Sequence, residues 1–319
     1  MNASRFIILI IAILLFSGVG AIADSVIRRP YFEYHFNNPI FVQAADSALI
    51  DARNRLIYLL NDSLDYRPAI YIPDNPADFK KTVGAAFPDW GAAAALPYRQ
   101  LIAIRSPANY PLGRSLRELI QHEYTHLAID DRLYHNEPPR WLNEGMAMFI
   151  SSEWGWDENL TLTRAVIFGN VIPLDEIERL NTFSEGKAGI AYSQSYLAVK
   201  YLLDSYGRES FNLLLDELKK DKPMDSALMT AIGSNYDDFE NEFNEYLKKK
   251  YTFMTFFIDT IYLWLALAIL VIIGFLLGFR KKRKFYKKWE EEDRYQSRDF
   301  DYGNPENPEE EDDEDKPWR

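Results

Sequence analysis

The chain contains no cysteine. A disulfide framework, a thiolate zinc site, an iron–sulfur cluster and a cysteine nucleophile are therefore all excluded. Histidine is scarce as well, at 4 of 319 residues, so any metal must be held by a small choice of His, Asp and Glu. No phosphate loop, dinucleotide fingerprint or internal repeat is present. Positive charge is in deficit, with 36 Lys plus Arg against 48 Asp plus Glu. Residues 1–279 carry a net −9 of the total −12. A main body of that sign is not a nucleic-acid surface, and no nucleic-acid partner is expected. What remains is still enough for a packed core: 47% of residues are hydrophobic and 15% aromatic, over a length that suits one or two folded units.

Charge is also missing from two long runs. The first, Phe6–Phe16, follows Arg5 and precedes Ala21-Ile22-Ala23. A charged start, an apolar stretch and an A-x-A end describe a signal peptide over residues 1–23, cleaved after Ala23. An uncleaved anchor is the alternative, since Phe6–Ala23 nearly spans a bilayer. The second run, 260–279, is 20 residues without a charge. As a helix it reaches roughly 30 Å, the hydrocarbon thickness. Tyr262 and Trp264 stand near one end, and Arg280–Lys288 supplies seven basic residues at the other. Aromatic anchors and a basic flank orient such a span with the basic side in the cytoplasm. The expectation is a single-pass cell-membrane protein whose domain over 24–251 lies outside the cytoplasm. A tail over 280–319, basic and then acidic, lies inside and is disordered, its Glu309–Asp315 run being wholly acidic. The basic stretch is suited to anionic lipid headgroups.

Within the outer domain, apolar residues recur at helical spacing from Ile40 to Leu60. Ala69–Ile72 reads as a buried strand stopped by Pro73, and Asn75–Val83 as a short helix. Leu101–Ile104 reads as a second strand. The chain is then mostly helical to Tyr251. Strands first and helices after predict an α+β domain.

The chemistry concentrates at His122-Glu123-Tyr124-Thr125-His126. Four residues along a helix turn about 400°, so His122 and His126 project from one face and reach one metal ion. Glu123 stands beside that face, placed to take a proton from a metal-bound water. Leu119, His122, Glu123 and His126 form the inward stripe of an amphipathic helix, where unpaired charge is costly and a metal supplies the partner. A third ligand is available in Glu144, 18 residues after His126, near the start of a second helix signalled by Pro138-Pro139. Two His, one Glu and a water form a catalytic zinc set. The alternative reading is a pair of hydrogen-bonded core histidines, with Glu144 as a first-turn carboxylate. His35 and His135 have no ligand spacing.

HExxH followed by Trp141-Leu142-Asn143-Glu144-Gly145 resembles the gluzincin metallopeptidases, and more closely the peptidase MA-like family. The resemblance continues through Pro139-Arg140, Ala191-Tyr192-Ser193-Gln194-Ser195, Tyr201-Leu202-Leu203 and Tyr206-Gly207, and covers roughly residues 90–250. It implies a zincin-like domain with one Zn2+ held by His122, His126 and Glu144, and with Glu123 as general base. Tyr192 is the candidate donor to the oxyanion of the tetrahedral intermediate, with Tyr196 the runner-up. Asn143 is a candidate for holding a ligand in place. Leu101–Ile104 is the candidate edge strand for pairing with an extended substrate. The aminopeptidase stretch G-A-M-E-N is absent, so an endopeptidase is expected. The whole is expected to be a membrane-anchored zinc metallopeptidase acting on peptides or proteins outside the cytoplasm. The alternative is a non-catalytic zinc-containing module that presents its groove to a partner.

Overall fold

The computed structural model describes residues 25–295, apart from 86 and 88–90. The expected signal peptide and the acidic run Glu309–Asp315 lie outside the described residues. The chain divides into two compact units, one ending at Phe256 and the other beginning at Phe257.

In the first unit all strands come before all the longer helices of the second half. Five strands form one mixed sheet: β1 (Ser25–Arg28), β2 (Glu33–Phe36), β3 (Ala69–Ile72), β4 (Ala93–Leu96) and β5 (Leu101–Ile104), in spatial order β1-β2-β3-β5-β4. β2, β3 and β5 are parallel, with Tyr34 opposite Ile70 and Ile70 opposite Ile102. The two outer strands run antiparallel to their neighbours. Parallel neighbours need a crossover. The connection from β2 to β3 is α1 (Val42–Leu60), and α2 (Pro76–Val83) follows β3. α1 buries Val42, Ala45, Leu49, Ala52, Leu56 and Leu59, which recur at the helical spacing expected between Ile40 and Leu60.

α3 (Leu116–Arg132) carries the HExxH motif and packs on α1. Its start is fixed by a capping box: Ser115 Oγ accepts the Glu118 N–H at 3.1 Å, and Glu118 Oε2 accepts the Ser115 N–H at 2.9 Å. Both free main-chain donors are satisfied reciprocally. α4 (Arg140–Ser151) packs against α3 and against α6 (Glu185–Leu218), while α5 (Trp156–Ile167) lies between them in sequence. α6 is two helical stretches joined at Gly207, whose φ of 82° suits glycine alone. α7 (Met224–Ile232) and α8 (Tyr236–Lys250) close this part, Phe239 of α8 stacking on the fully buried Trp141 of α4.

A short helix, α9 (Phe253–Asp259), precedes the last one. In the second unit, α10 (Ile261–Tyr295) is one continuous helix. Among the described residues it alone is long and apolar enough to cross a membrane. It does not stop at Phe279 but runs through Arg280–Lys288, which was expected to be disordered. Lys, Arg and Glu are good helix formers, so an established helix propagates through them.

Candidate metal centre

The site lies where α3, α4 and the free edge of the sheet meet. His122 is buried on α3, and His126 follows one turn on, their rings edge to face with centroids 4.9 Å apart. Glu144 is buried on α4, and its Oε2 lies 3.4 Å from His122 Nε2 and 3.7 Å from His126 Nε2. One ligand atom from each of His122, His126 and Glu144 lies within 4.8 Å of the others, so the three can hold a metal ion together.

The imidazoles are oriented from behind. His122 Nδ1 donates to Glu153 Oε1 at 2.9 Å, and His126 Nδ1 donates to Asn143 Oδ1 at 2.8 Å. An acceptor on Nδ1 leaves Nε2 as the metal-binding nitrogen, the arrangement that metal-ligating histidines use. The donor set therefore fits a divalent ion such as zinc. Asn143 stands where it was expected. Glu153 was not foreseen: it is 31 residues from His122, on no motif, just beyond the end of α4. Ser152 turns the chain there with φ 62°, and Arg55 of α1 clamps the turn by donating to Ile150 O at 2.9 Å. Glu153 is held in turn by Ser151 Oγ at 2.8 Å and by an ion pair with Arg114.

Electrostatics favour a cation. Burial works against charge on Glu144, but His122, His126 and Arg140 outweigh it and bring the carboxyl down to about 2. Burial likewise opposes charge on His122, yet Glu153, Glu144 and Glu123 prevail and push it up to about 10. Glu153 is held below the usual carboxylate range by His122 and Arg114, against its burial.

Glu123 points to the sheet edge, where its Oε2 accepts the Ala95 N–H at 2.6 Å. The strand at that edge is β4, not β5. Leu101–Ile104 was expected there, but it lies between β3 and β4 with all four residues buried. Arg105 N–H donates to Ala92 O. Hydrogen-bonded pairs alternate along an antiparallel ladder, so Ala92 and Ala94 face β5 and the main chain of Ala93 and Ala95 faces outward.

Tyr192, on α6, lies within electrostatic reach of Glu144, Arg140, Arg114 and Glu123. Burial first, and Glu144 second, hold its phenol well above the usual tyrosine range. Tyr196 is instead a packing residue, stacked on Trp154 with centroids 4.5 Å apart at 14°. His35 and His135 are apart from the site, paired with Glu33 and Asp130.

A family profile described as the Peptidase MA superfamily matches residues 51–249, which is more than half of the chain. The match begins within α1, earlier than the motifs alone indicated. The uncharacterized protein YhcO of Bacillus subtilis (strain 168) is 27% identical over 154 residues, 46% of this chain and 44% of that protein. The chain thus matches less than half the length of this relative. With HExxH, the Trp-Leu-Asn-Glu-Gly helix and the converging ligand atoms all inside the matched region, the chain belongs to the Peptidase MA superfamily.

Proposed function

We propose that this protein is a membrane-anchored, zinc-dependent endopeptidase of gluzincin type, acting outside the cytoplasm on peptide or protein substrates. One observation carries the reading. His122 Nε2, His126 Nε2 and Glu144 Oε2 converge with both Nδ1 atoms already committed to Asn143 and Glu153, and they do so beside the free edge of a sheet.

His122, His126 and Glu144 would hold the zinc ion, which when bound polarises a scissile carbonyl and acidifies the attacking water. Glu123 is the general base. Ala95 fixes one of its carboxylate oxygens, and the other takes the proton from water and returns it to the leaving amine. Tyr192 keeps its proton at neutral pH and donates to the oxyanion that forms during attack. The outward main chain of Ala93 and the carbonyl of Ala95, whose N–H is committed to Glu123, accept an extended substrate as an added strand. α10 provides the membrane span, and its basic segment contacts anionic headgroups on the cytoplasmic side.

The test is metal content and peptide hydrolysis of the full-length protein beside Glu144→Ala and Glu123→Gln. One zinc per wild-type chain is expected, weakened or lost in Glu144→Ala. Glu123→Gln should keep its zinc and lose about 10²–10⁴-fold or more in kcat. Hydrolysis by a zinc-replete Glu123→Gln protein at the wild-type rate would overturn the mechanism. Absence of zinc after reconstitution would favour the non-catalytic binding module.

A further inference from the structure

The two oxygens of Glu144 have different partners. Oε2 faces the two imidazole Nε2 atoms at 3.4 and 3.7 Å, whereas Oε1 lies 3.1 Å from Nη2 of Arg140, one turn earlier on α4. We propose that Arg140 is a positioning residue of the metal centre, holding Oε1 so that Glu144 offers the cation one oxygen and a coordination position stays open. This rests on the reading of His122, His126 and Glu144 as metal ligands.

The geometry of Arg140 supports such a role. Its guanidinium is itself anchored, because the Nη2 that pairs with Glu144 donates a hydrogen bond to Asn181 Oδ1 at 3.1 Å. Its main-chain N–H, at the start of α4, donates to Glu178 Oε1 at 2.7 Å. Both partners belong to the turn-like helical segment Leu174–Thr182, which has no other part in the site. A continuous chain of contacts thus runs from that segment through Arg140 to Oε1 of Glu144. A guanidinium is a planar, fixed cation, so an Nη2 held by Asn181 and paired with Glu144 Oε1 draws that oxygen toward itself and sets the carboxylate rotation by charge. Without that bridge, Oε1 is free to swing toward the same ion. With both carboxylate oxygens bound beside the water, a zinc site has five ligands in place of four, and the place that a substrate carbonyl would enter is filled. Arg140 therefore governs coordination number, a property distinct from the presence of the ligand.

Cobalt(II) is the probe, since its visible absorption reports coordination number while it occupies zinc sites. Full-length protein in detergent is loaded with one equivalent, and affinity is measured by chelator competition. Wild type should show the strong absorption of a four-coordinate ion. Arg140→Ala should still bind cobalt, about 10–100-fold more weakly, with weaker absorption typical of five or six ligands. Arg140→Lys, which keeps a cation able to pair with Oε1, should recover most of the four-coordinate spectrum. Asn181→Ala, at the far end of the bridge, should shift the spectrum in the direction of Arg140→Ala and serves if that variant fails to fold. A wild-type spectrum and affinity in Arg140→Ala, or in Asn181→Ala where the first does not fold, would overturn the proposal while leaving the metal site standing. Failure of the wild-type protein to bind cobalt would overturn the metal reading itself, and this inference with it.

Discussion

Glu153 shows how much of the site is built by residues that carry no motif. It is buried, accepts from His122 Nδ1, and is secured by Ser151 and Arg114. Replacing it with Gln keeps the shape and removes the charge. The expected result is zinc binding weaker by about 10–100-fold, measured by chelator competition, with the fold intact. A related prediction concerns pH. His122 in the folded, metal-free protein lies above its unfolded value of 6.5, up to about 10, because Glu153 and Glu144 outweigh its burial. Its contribution to stability is then complete below pH 6.5 and fades as pH rises through about 10. Glu144 has the opposite sign: held down to about 2 from 4.5, it contributes above pH 4.5 and loses that contribution as pH falls toward 2. Chelated protein should therefore melt at lower temperature at pH 10 than at pH 6.5. Zinc-loaded protein should show a flatter dependence, since the ion takes the place of the Nε2 proton. Thermal melts from pH 6 to 10 with and without zinc measure both. A metal-free melting temperature that does not fall over this range would contradict the assigned pairing.

The elements differ in how much of them the sequence discloses, and local contacts explain the difference. HExxH is legible because its partners are one helical turn apart, and Glu144 because it opens the next helix. α1 is legible from its apolar repeat. β4 is not: Ala93-Ala94-Ala95 has the composition of a helix, and the segment is extended only because it pairs with β5. That concealment is why β5 was expected at the edge. β1 and β2, four residues each, are likewise strands by virtue of pairing rather than pattern. Glu153 escaped because the contact is made by the turn at Ser152, whose left-handed conformation no sequence rule requires. Gly145 illustrates the reverse, a motif residue whose reason appears only in the packing. A Cβ built there would lie 2.2 Å from the main-chain oxygen of Ser195. Glycine thus lets α4, which bears Glu144, approach the backbone of α6, which bears Tyr192 one turn earlier. Gly145→Ala must separate the two helices, at a cost of about 1–3 kcal/mol. A lowered denaturant midpoint, with reduced zinc affinity as Glu144 moves, is expected. An unchanged midpoint would mean that the contact is not made.

At the level of the whole chain, the catalytic reading depends on which side of the membrane the first unit occupies. The span itself gives no direction, since apolar side chains along α10 are symmetric in their preference for lipid. The direction comes from what flanks it. Arg280–Lys288 holds seven cations at one end and Tyr262 and Trp264 stand at the other, and positive residues are retained in the cytoplasm. On the proposed reading, the domain with His122, Glu123, His126 and Glu144 then lies outside. The absence of cysteine makes a direct test clean, because an introduced thiol is the single one in the purified, labelled chain. Ser226, exposed on α7, and Lys288, exposed on α10, are suitable positions. In intact cells a membrane-impermeant maleimide should label Ser226→Cys and leave Lys288→Cys unmodified until the membrane is opened. The reverse pattern would put the domain inside, exclude envelope or surface substrates, and direct the search for peptides to the cytoplasm. Labelling of both positions in intact cells would show that α10 does not cross the bilayer, and the proposed tethering, with the proposed preference for membrane-proximal substrates, would have to be abandoned.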